Sequence, residues 1–143
     1  MKKILILTIA IFAVSSVASC QEKFVTAAQL PSPAKTYINT NFPGDDIVSV
    51  LLDDDVVNPD YEVRLASGVH LQFEHNGALE KVACRKGIPA ELIPVSIREY
   101  VSANYPSQGY TEFEIDRRTY EVTLTNGLEL KFNSSFRLID VDD

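Results

Sequence analysis

One stretch constrains this chain more than any other: Tyr120-Glu121-Val122-Thr123-Leu124-Thr125-Asn126-Gly127-Leu128-Glu129-Leu130-Lys131-Phe132. Apolar and polar residues alternate on both sides of Asn126-Gly127. Strict alternation is the period-2 signature of a half-buried strand. Asn-Gly between two such runs is a strong local signal for a β-hairpin, read here as a two-residue type I′ turn. The pattern has already occurred 59 residues upstream, as Tyr61-Glu62-Val63-Arg64-Leu65-Ala66-Ser67-Gly68-Val69-His70-Leu71-Gln72-Phe73. The chain therefore reads as a duplication built on two copies of one hairpin.

Each copy extends outward from its hairpin in the same order. Thr26 to Leu30 reads as a short helical turn, stopped by Pro31. Ser32-Pro33 starts a second helix, whose Ala34, Tyr37, Ile38 and Phe42 recur at helical spacing. Ile47 to Asp53 is a strand, the hairpin follows, and Ala78 to Cys84 is a fourth strand after Asn76-Gly77. In the second copy Ile88 to Ile93 matches the short turn. Pro94 to Pro106 matches the helix, Tyr110 to Asp116 the first strand, and Arg137 to Val141 the last, with Ser135-Phe136 where the first copy has Asn76-Gly77. The expected architecture is α+β: two tandem α2β4 repeats, with helices packed on one face of an antiparallel sheet and the other face exposed. The expected divisions are 1–20, 21–87 for the first repeat and 88–143 for the second. Val63, Leu65, Leu71, Phe73, Val122, Leu124, Leu130 and Phe132 share the inward parity. Leu79 and Val82, like Leu138 and Val141, break it, which predicts a bulge or an early strand end in each fourth strand.

The N-terminus carries a different message. Lys2-Lys3 precedes an apolar run from Ile4 to Val14, and small residues follow. This is the pattern of an export signal, too short for a membrane span. Val17-Ala18-Ser19-Cys20 is a candidate lipobox, with Cys20 as the lipidated residue. Ordinary cleavage near Ala18, Ser19 or Cys20 is the alternative, so the expected address is the periplasm or an outer-membrane anchor. With Cys20 lipidated or removed, Cys84 has no partner and reads as a small buried apolar residue. The formal net charge of −7 argues against nucleic acid and anionic headgroups, which need clustered Lys and Arg. Arg85-Lys86 and Arg117-Arg118 are isolated pairs and read as solvated turns.

The repeated residues resemble the PepSY-like secreted bacterial proteins, whose fold is like that of the β-lactamase inhibitor protein. The resemblance rests on Ile38, Phe42, Pro43, Tyr61-Glu62-Val63, Leu65, Gly68, Phe73 and Gly77, with their counterparts Val101, Tyr105, Pro106, Tyr120-Glu121-Val122, Leu124, Gly127 and Phe132. It covers the chain after the export signal. It implies a binding or inhibitory role rather than an enzymatic one, and it carries over no functional residue, because these are core and turn positions.

Catalytic and metal chemistry find little support in the residues. His70 and His75 are five apart and fall on opposite sides of a strand. No cysteine pair, phosphate-binding loop or Gly-x-Ser-x-Gly elbow occurs. No cofactor is expected. The leading expectation is an exported, non-enzymatic module that binds another periplasmic or cell-envelope protein, as an inhibitor in one form. Its docking surface would be the polar sheet face carrying Glu62, Arg64, His70, Gln72, Glu121, Thr123, Glu129 and Lys131. The alternative is a small ligand or Ca²⁺ held by the acidic 53–60 loop through Asp53, Asp55, Asn58 and Asp60, although the spacing is not that of an EF-hand.

Overall fold

A computed structural model of the protein describes residues 22–53 and 60–143. The expected export signal, Cys20, Asp55 and Asn58 lie outside them. The described residues form one antiparallel sheet of nine strands in sequence order. The strands are β1 (Glu22–Val25), β2 (Ile47–Asp53), β3 (Asp60–Leu65), β4 (His70–Phe73), β5 (Leu79–Ile88), β6 (Tyr110–Asp116), β7 (Thr119–Leu124), β8 (Glu129–Asn133) and β9 (Leu138–Asp142). Two α-helices interrupt the meander, α1 (Ser32–Asn41) and α2 (Val95–Asn104).

This corrects the expected α+β fold of two α2β4 repeats: the molecule is mostly sheet. Two physical reasons account for the difference. The short segments before the helices, Ala27–Gln29 and Ala90–Leu92, are single 3-10 turns. Pro31 and Pro94 follow almost at once, and three residues cannot close a run of α-type hydrogen bonds. The extra strand β1 is four residues long and lies at an edge, paired through Phe24 to Leu51 and Val25 to Val50. So short an element shows no readable period.

The sheet is continuous across the two copies because β5 pairs with β6, with Val82 opposite Phe113 and Ile88 opposite Tyr110. Both helices contribute to a single core. Ala34, Ile38, Ile97 and Val101 are buried together with Val63, Leu71, Phe73, Val122, Leu130 and Phe132. Tyr37 meets Phe73 edge-on at 5.9 Å between centroids, and Tyr100 meets Phe132 likewise at 5.5 Å. The helix ends are also duplicated: Asn41 Nδ2 donates to Tyr37 O and Asn104 Nδ2 to Tyr100 O, both at 2.9 Å. The copies differ at one hydroxyl. Tyr37 Oη is buried with no hydrogen-bond partner, and burial pushes its pKa up to about 12. Cys84 is a free, buried thiol.

The hairpins use a different turn from the one the Asn-Gly pair suggests. Leu124 N donates to Leu128 O at 2.9 Å and Gly127 N to Leu124 O at 2.9 Å. Only Gly127, at φ +89°, is left-handed; Thr125 and Asn126 are not. This is a three-residue loop, a turn followed by one left-handed residue, rather than a type I′ turn. The same pair of bonds closes the loops at Gly68, Gly77 and Phe136. Phe136 adopts φ +57° without being glycine, and its ring lies 5.0 Å from that of Tyr120. The parity breaks in the fourth strands are bulges, between Leu79 and Lys81 on β5 and between Leu138 and Asp140 on β9.

Gly77 separates two effects. A Cβ added there would lie 2.9 Å from Pro31 Cβ and 3.0 Å from Ala34 N, at the start of α1, whereas one at Gly68 would meet nothing. Both residues are left-handed, which costs an L side chain roughly 1–2 kcal/mol. Gly68→Ala is expected to lose about that much in urea unfolding, and Gly77→Ala clearly more. Equal losses would mean that the turn does not bear on the helix.

Candidate interaction face

Side chains on the face away from the helices form two rows that cross the sheet. Strand register defines them. The first row runs Ser49, Arg64, His70, Ala83, Glu112, Thr123, Glu129, Asp142 from β2 to β9. The second runs Leu51, Glu62, Gln72, Lys81, Glu114, Glu121, Lys131, Asp140. All eight residues anticipated for this face, Glu62, Arg64, His70, Gln72, Glu121, Thr123, Glu129 and Lys131, lie in these rows. They alternate with the buried Val63, Leu71, Val122 and Leu130. Because the pleat has period 2, the core that fixes the inward set also fixes this outward one.

Pairing of β5 with β6 adds the residues at the centre of the face. Lys81 Nζ lies 2.8 Å from Glu112 Oε1 and 2.9 Å from Glu114 Oε2, a bridge across the junction of the two copies. Burial opposes the Lys81 charge, but the bonds to Glu112 and Glu114 outweigh it and hold its pKa above the usual lysine value. Sequence reasoning missed these three residues, along with Asp140 and Asp142. Its signal was confined to the hairpins, and the contacts arise only when β5 meets β6 and β8 meets β9. Elsewhere His70 Nε2 sits 3.3 Å from Glu62 Oε2, and Lys131 Nζ 4.0 Å from Glu121 Oε2.

The two halves of the face differ in sign. On the first-copy side a hollow of about 700 Å³ is bordered by Arg64, His70, Arg85 and Lys86, together with Glu112 of β6. Arg85 and Lys86, expected in a solvated turn, are exposed but lie in β5, where they line this hollow. On the second-copy side a smaller hollow of about 210 Å³ is bordered by Glu121, Glu129, Lys131, Asp140 and Asp142. Glu121 stands directly opposite Glu114. Partial burial, with Glu129 and Glu114 nearby, raises its pKa against the pull of Lys131.

A third cluster lies at the start of β3 and β5 and the end of β6. Asp60, Glu74, His75, Glu80 and Asp116 line a hollow of about 310 Å³. Partial burial and the charges of Asp60, Glu74, Glu114 and Asp116 raise the Glu80 pKa. Of the four residues anticipated as Ca²⁺ ligands, Asp53 and Asp60 are described, paired across β2 and β3. Among the described residues no group of three or more His, Cys, Asp or Glu side chains is arranged to hold a metal ion.

Glu80 and Glu121 oppose folding while ionised. A carboxyl whose folded pKa is raised contributes most below its ordinary value, 4.5 here, and that contribution is lost as pH rises through the folded value. Glu121→Gln and Glu80→Gln are therefore expected to raise Tm at pH 7 and to leave it nearly unchanged at pH 4. A gain of equal size at both pH values would show that charge is not its source.

The face belongs to a recognisable kind of molecule. The model of the family described as "Putative beta-lactamase-inhibitor-like, PepSY-like" matches the chain twice, over residues 16–81 and 59–140. A protein of Bacteroides vulgatus described as a "putative periplasmic protein" of the DUF2874 family superimposes with a TM-score of 0.82 at 33% identity, covering 87% of this chain and 99% of that one. A "putative calcium-regulated periplasmic protein" of Bacteroides thetaiotaomicron gives 0.81 at 33% identity, covering 85% and 97%. A second Bacteroides vulgatus protein, a "putative periplasmic protein of unknown function", gives 0.81 at 28%, covering 86% and 100%. No curated protein matches. With both copies matched and the solved relatives superimposed along nearly their whole length, the chain belongs to the β-lactamase-inhibitor-like, PepSY-like family, and its structural neighbours are described as periplasmic proteins.

Proposed function

We propose that this protein is a non-catalytic binding module of the periplasm whose open sheet face docks another cell-envelope protein. The observation that carries this reading is the pair of polar rows crossing eight strands on one continuous surface. A rigid sheet presents such side chains at fixed spacing, about 4.8 Å between strands and about 7 Å along them. Docking on this surface then loses little entropy to ordering the protein itself. Membership in a β-lactamase-inhibitor-like family supports binding over catalysis. Inhibition is the form that such binding takes when the partner is an enzyme.

A photo-crosslinking residue placed at Gln72 or Thr123 in the exported protein tests this. The expected result is one discrete crosslinked partner from both positions and none from Asn39 or Ser102, which lie on the helices. Crosslinks from the helix positions alone would move the docking surface to the other side of the sheet.

One observation favours a second reading, in which Ca²⁺ binds at the acidic end of the sheet. Partial burial and the carboxylates of Asp60, Glu74, Glu114 and Asp116 raise the Glu80 pKa, and a 33%-identical relative is described as calcium-regulated. A cation there would relieve that repulsion. In this reading Glu80 joins Asp53, Asp55, Asn58 and Asp60. A ligand that binds only the native state raises its melting temperature. Tm is expected to rise with millimolar Ca²⁺, to return with EDTA, and to lose the response in Asp60→Asn. An unmoved Tm rejects the reading.

A further inference from the structure

We propose that the cationic hollow on the first-copy half of the open face seats a short acidic segment of the docking partner, in extended backbone. The inference deepens the docking proposal and rests on it. Its first support is a break in the sheet. Ala83 of β5 pairs with Glu112 of β6, and Ile88 with Tyr110, so Cys84 to Gly87 lie opposite Thr111 alone. Gly87 adopts a left-handed φ of +103° just before the ladder resumes. A bulge bends its strand and re-aims side chains. Here Cys84 is buried in the core while Arg85 and Lys86 are exposed. Both line the hollow of about 700 Å³ together with Arg64 of β3.

The second support is that these cations are uncommitted. Among the described residues no ion pair engages Arg64, Arg85 or Lys86. The carboxylates beside them already have partners: Glu112 Oε1 lies 2.8 Å from Lys81 Nζ, and Glu62 Oε2 lies 3.3 Å from His70 Nε2. Between His70 and Glu112 the first row has only the methyl of Ala83, which leaves room for an incoming side chain.

Charge and spacing together select the occupant. Arg64 and Arg85 stand on strands two gaps apart, about 10 Å. Carboxylates that alternate along an extended segment are about 7 Å apart. Two of them span the hollow, and a guanidinium can hold each through paired hydrogen bonds. A long polyanion or an anionic membrane fits poorly. The chain carries a net charge of −7, and from β6 onward the same two rows hold six carboxylates and one lysine. Only an anion short enough to end before that strip avoids its repulsion.

Fluorescence anisotropy tests this with a fluorescein-labelled peptide of alternating Glu and Ser, titrated with the exported form of the chain. Binding is expected at about 20 mM salt and should weaken by about tenfold at about 300 mM, where charges are screened within a few ångströms. Arg64→Gln with Arg85→Gln and Lys86→Gln should weaken it by about tenfold or more, whereas Glu129→Gln with Asp142→Asn should leave it equal or tighter. Unchanged Tm in both variants confirms that the folds are intact. No binding at millimolar protein overturns the proposal, as does equal binding by the triple variant. Displacement of the peptide by an equal concentration of inorganic phosphate would make the hollow a small-anion site. Sedimentation of the chain with phosphatidylglycerol vesicles, lost in the triple variant, would make it a lipid contact; either result also overturns the proposal. A discrete partner crosslinked from Gln72 and Thr123 alongside any of these failures would leave docking standing and remove only the acidic segment.

Discussion

Register is the constraint on which the rest of this structure depends, and the hairpin loops set it. Each three-residue loop ends in one left-handed residue, Gly68, Gly77, Gly127 or Phe136, and closes with the same two backbone bonds. That geometry fixes which residues face each other: Val63 opposite Leu71 and Val122 opposite Leu130. A slip of one residue would carry Leu71 and Phe73 to water and Gln72 into the core. Losing a buried Phe side chain alone costs about 3–5 kcal/mol, so the slipped register is not a competitor. The open face inherits its order from this exclusion. Its charged residues are held in rows by the apolar residues between them, with little contribution from their own pairing.

Phe136 shows how much this geometry can demand. Its left-handed backbone is unfavourable for a bulky residue, yet the loop it closes has the same bonds as its glycine counterparts. Its ring meets Tyr120, which in turn stacks on Phe113 at 6.2 Å with an interplanar angle of 6°. The first repeat fills the equivalent space differently: Gly77 lets the loop press against Pro31 and Ala34. A close backbone approach in one copy and an aromatic contact in the other support the same turn. The duplication is thus held to its shape by backbone bonds while the side chains around it have changed.

The sequence revealed most where period and position coincide. Alternation from Tyr61 to Phe73 and from Tyr120 to Phe132 located both hairpins and their inward sets. The parity break between Leu79 and Val82 marked an irregularity, a bulge or an early strand end, and the pairing with β4 makes it a bulge. What it missed has physical reasons. An Asn-Gly pair is compatible with two loop lengths, and only the bonds at Leu124 and Gly127 choose between them. Thr26 to Leu30 has the composition of a helix but not the length. Strand β1 is an edge of four residues whose Phe24 is 74% exposed, so burial imposes no period on it. The centre of the open face was invisible because Lys81 meets Glu112 and Glu114 only across strands on either side of α2, more than thirty residues apart. Long-range pairing leaves no local trace.

Like charges that face each other on that surface have a consequence for binding. Glu114 lies directly across from Glu121, and cross-strand like pairs are unfavourable by a few tenths to about 1 kcal/mol. Lys81 offsets part of this by holding Glu112 and Glu114 together; in the acidic hollow toward β9 the lining cation is Lys131, whose Nζ lies 4.0 Å from Glu121 Oε2. The buried core beneath is indifferent to these charges, so the repulsion persists in the free protein instead of deforming the sheet. Any cationic group brought to this strip gains its own attraction and also removes repulsion already present. The first-copy half offers no such gain to a cation, because Arg64, Arg85 and Lys86 already crowd it. A partner of mixed charge is thereby oriented as well as bound: turned through 180° in the plane of the sheet, it would set like charge against like at both ends.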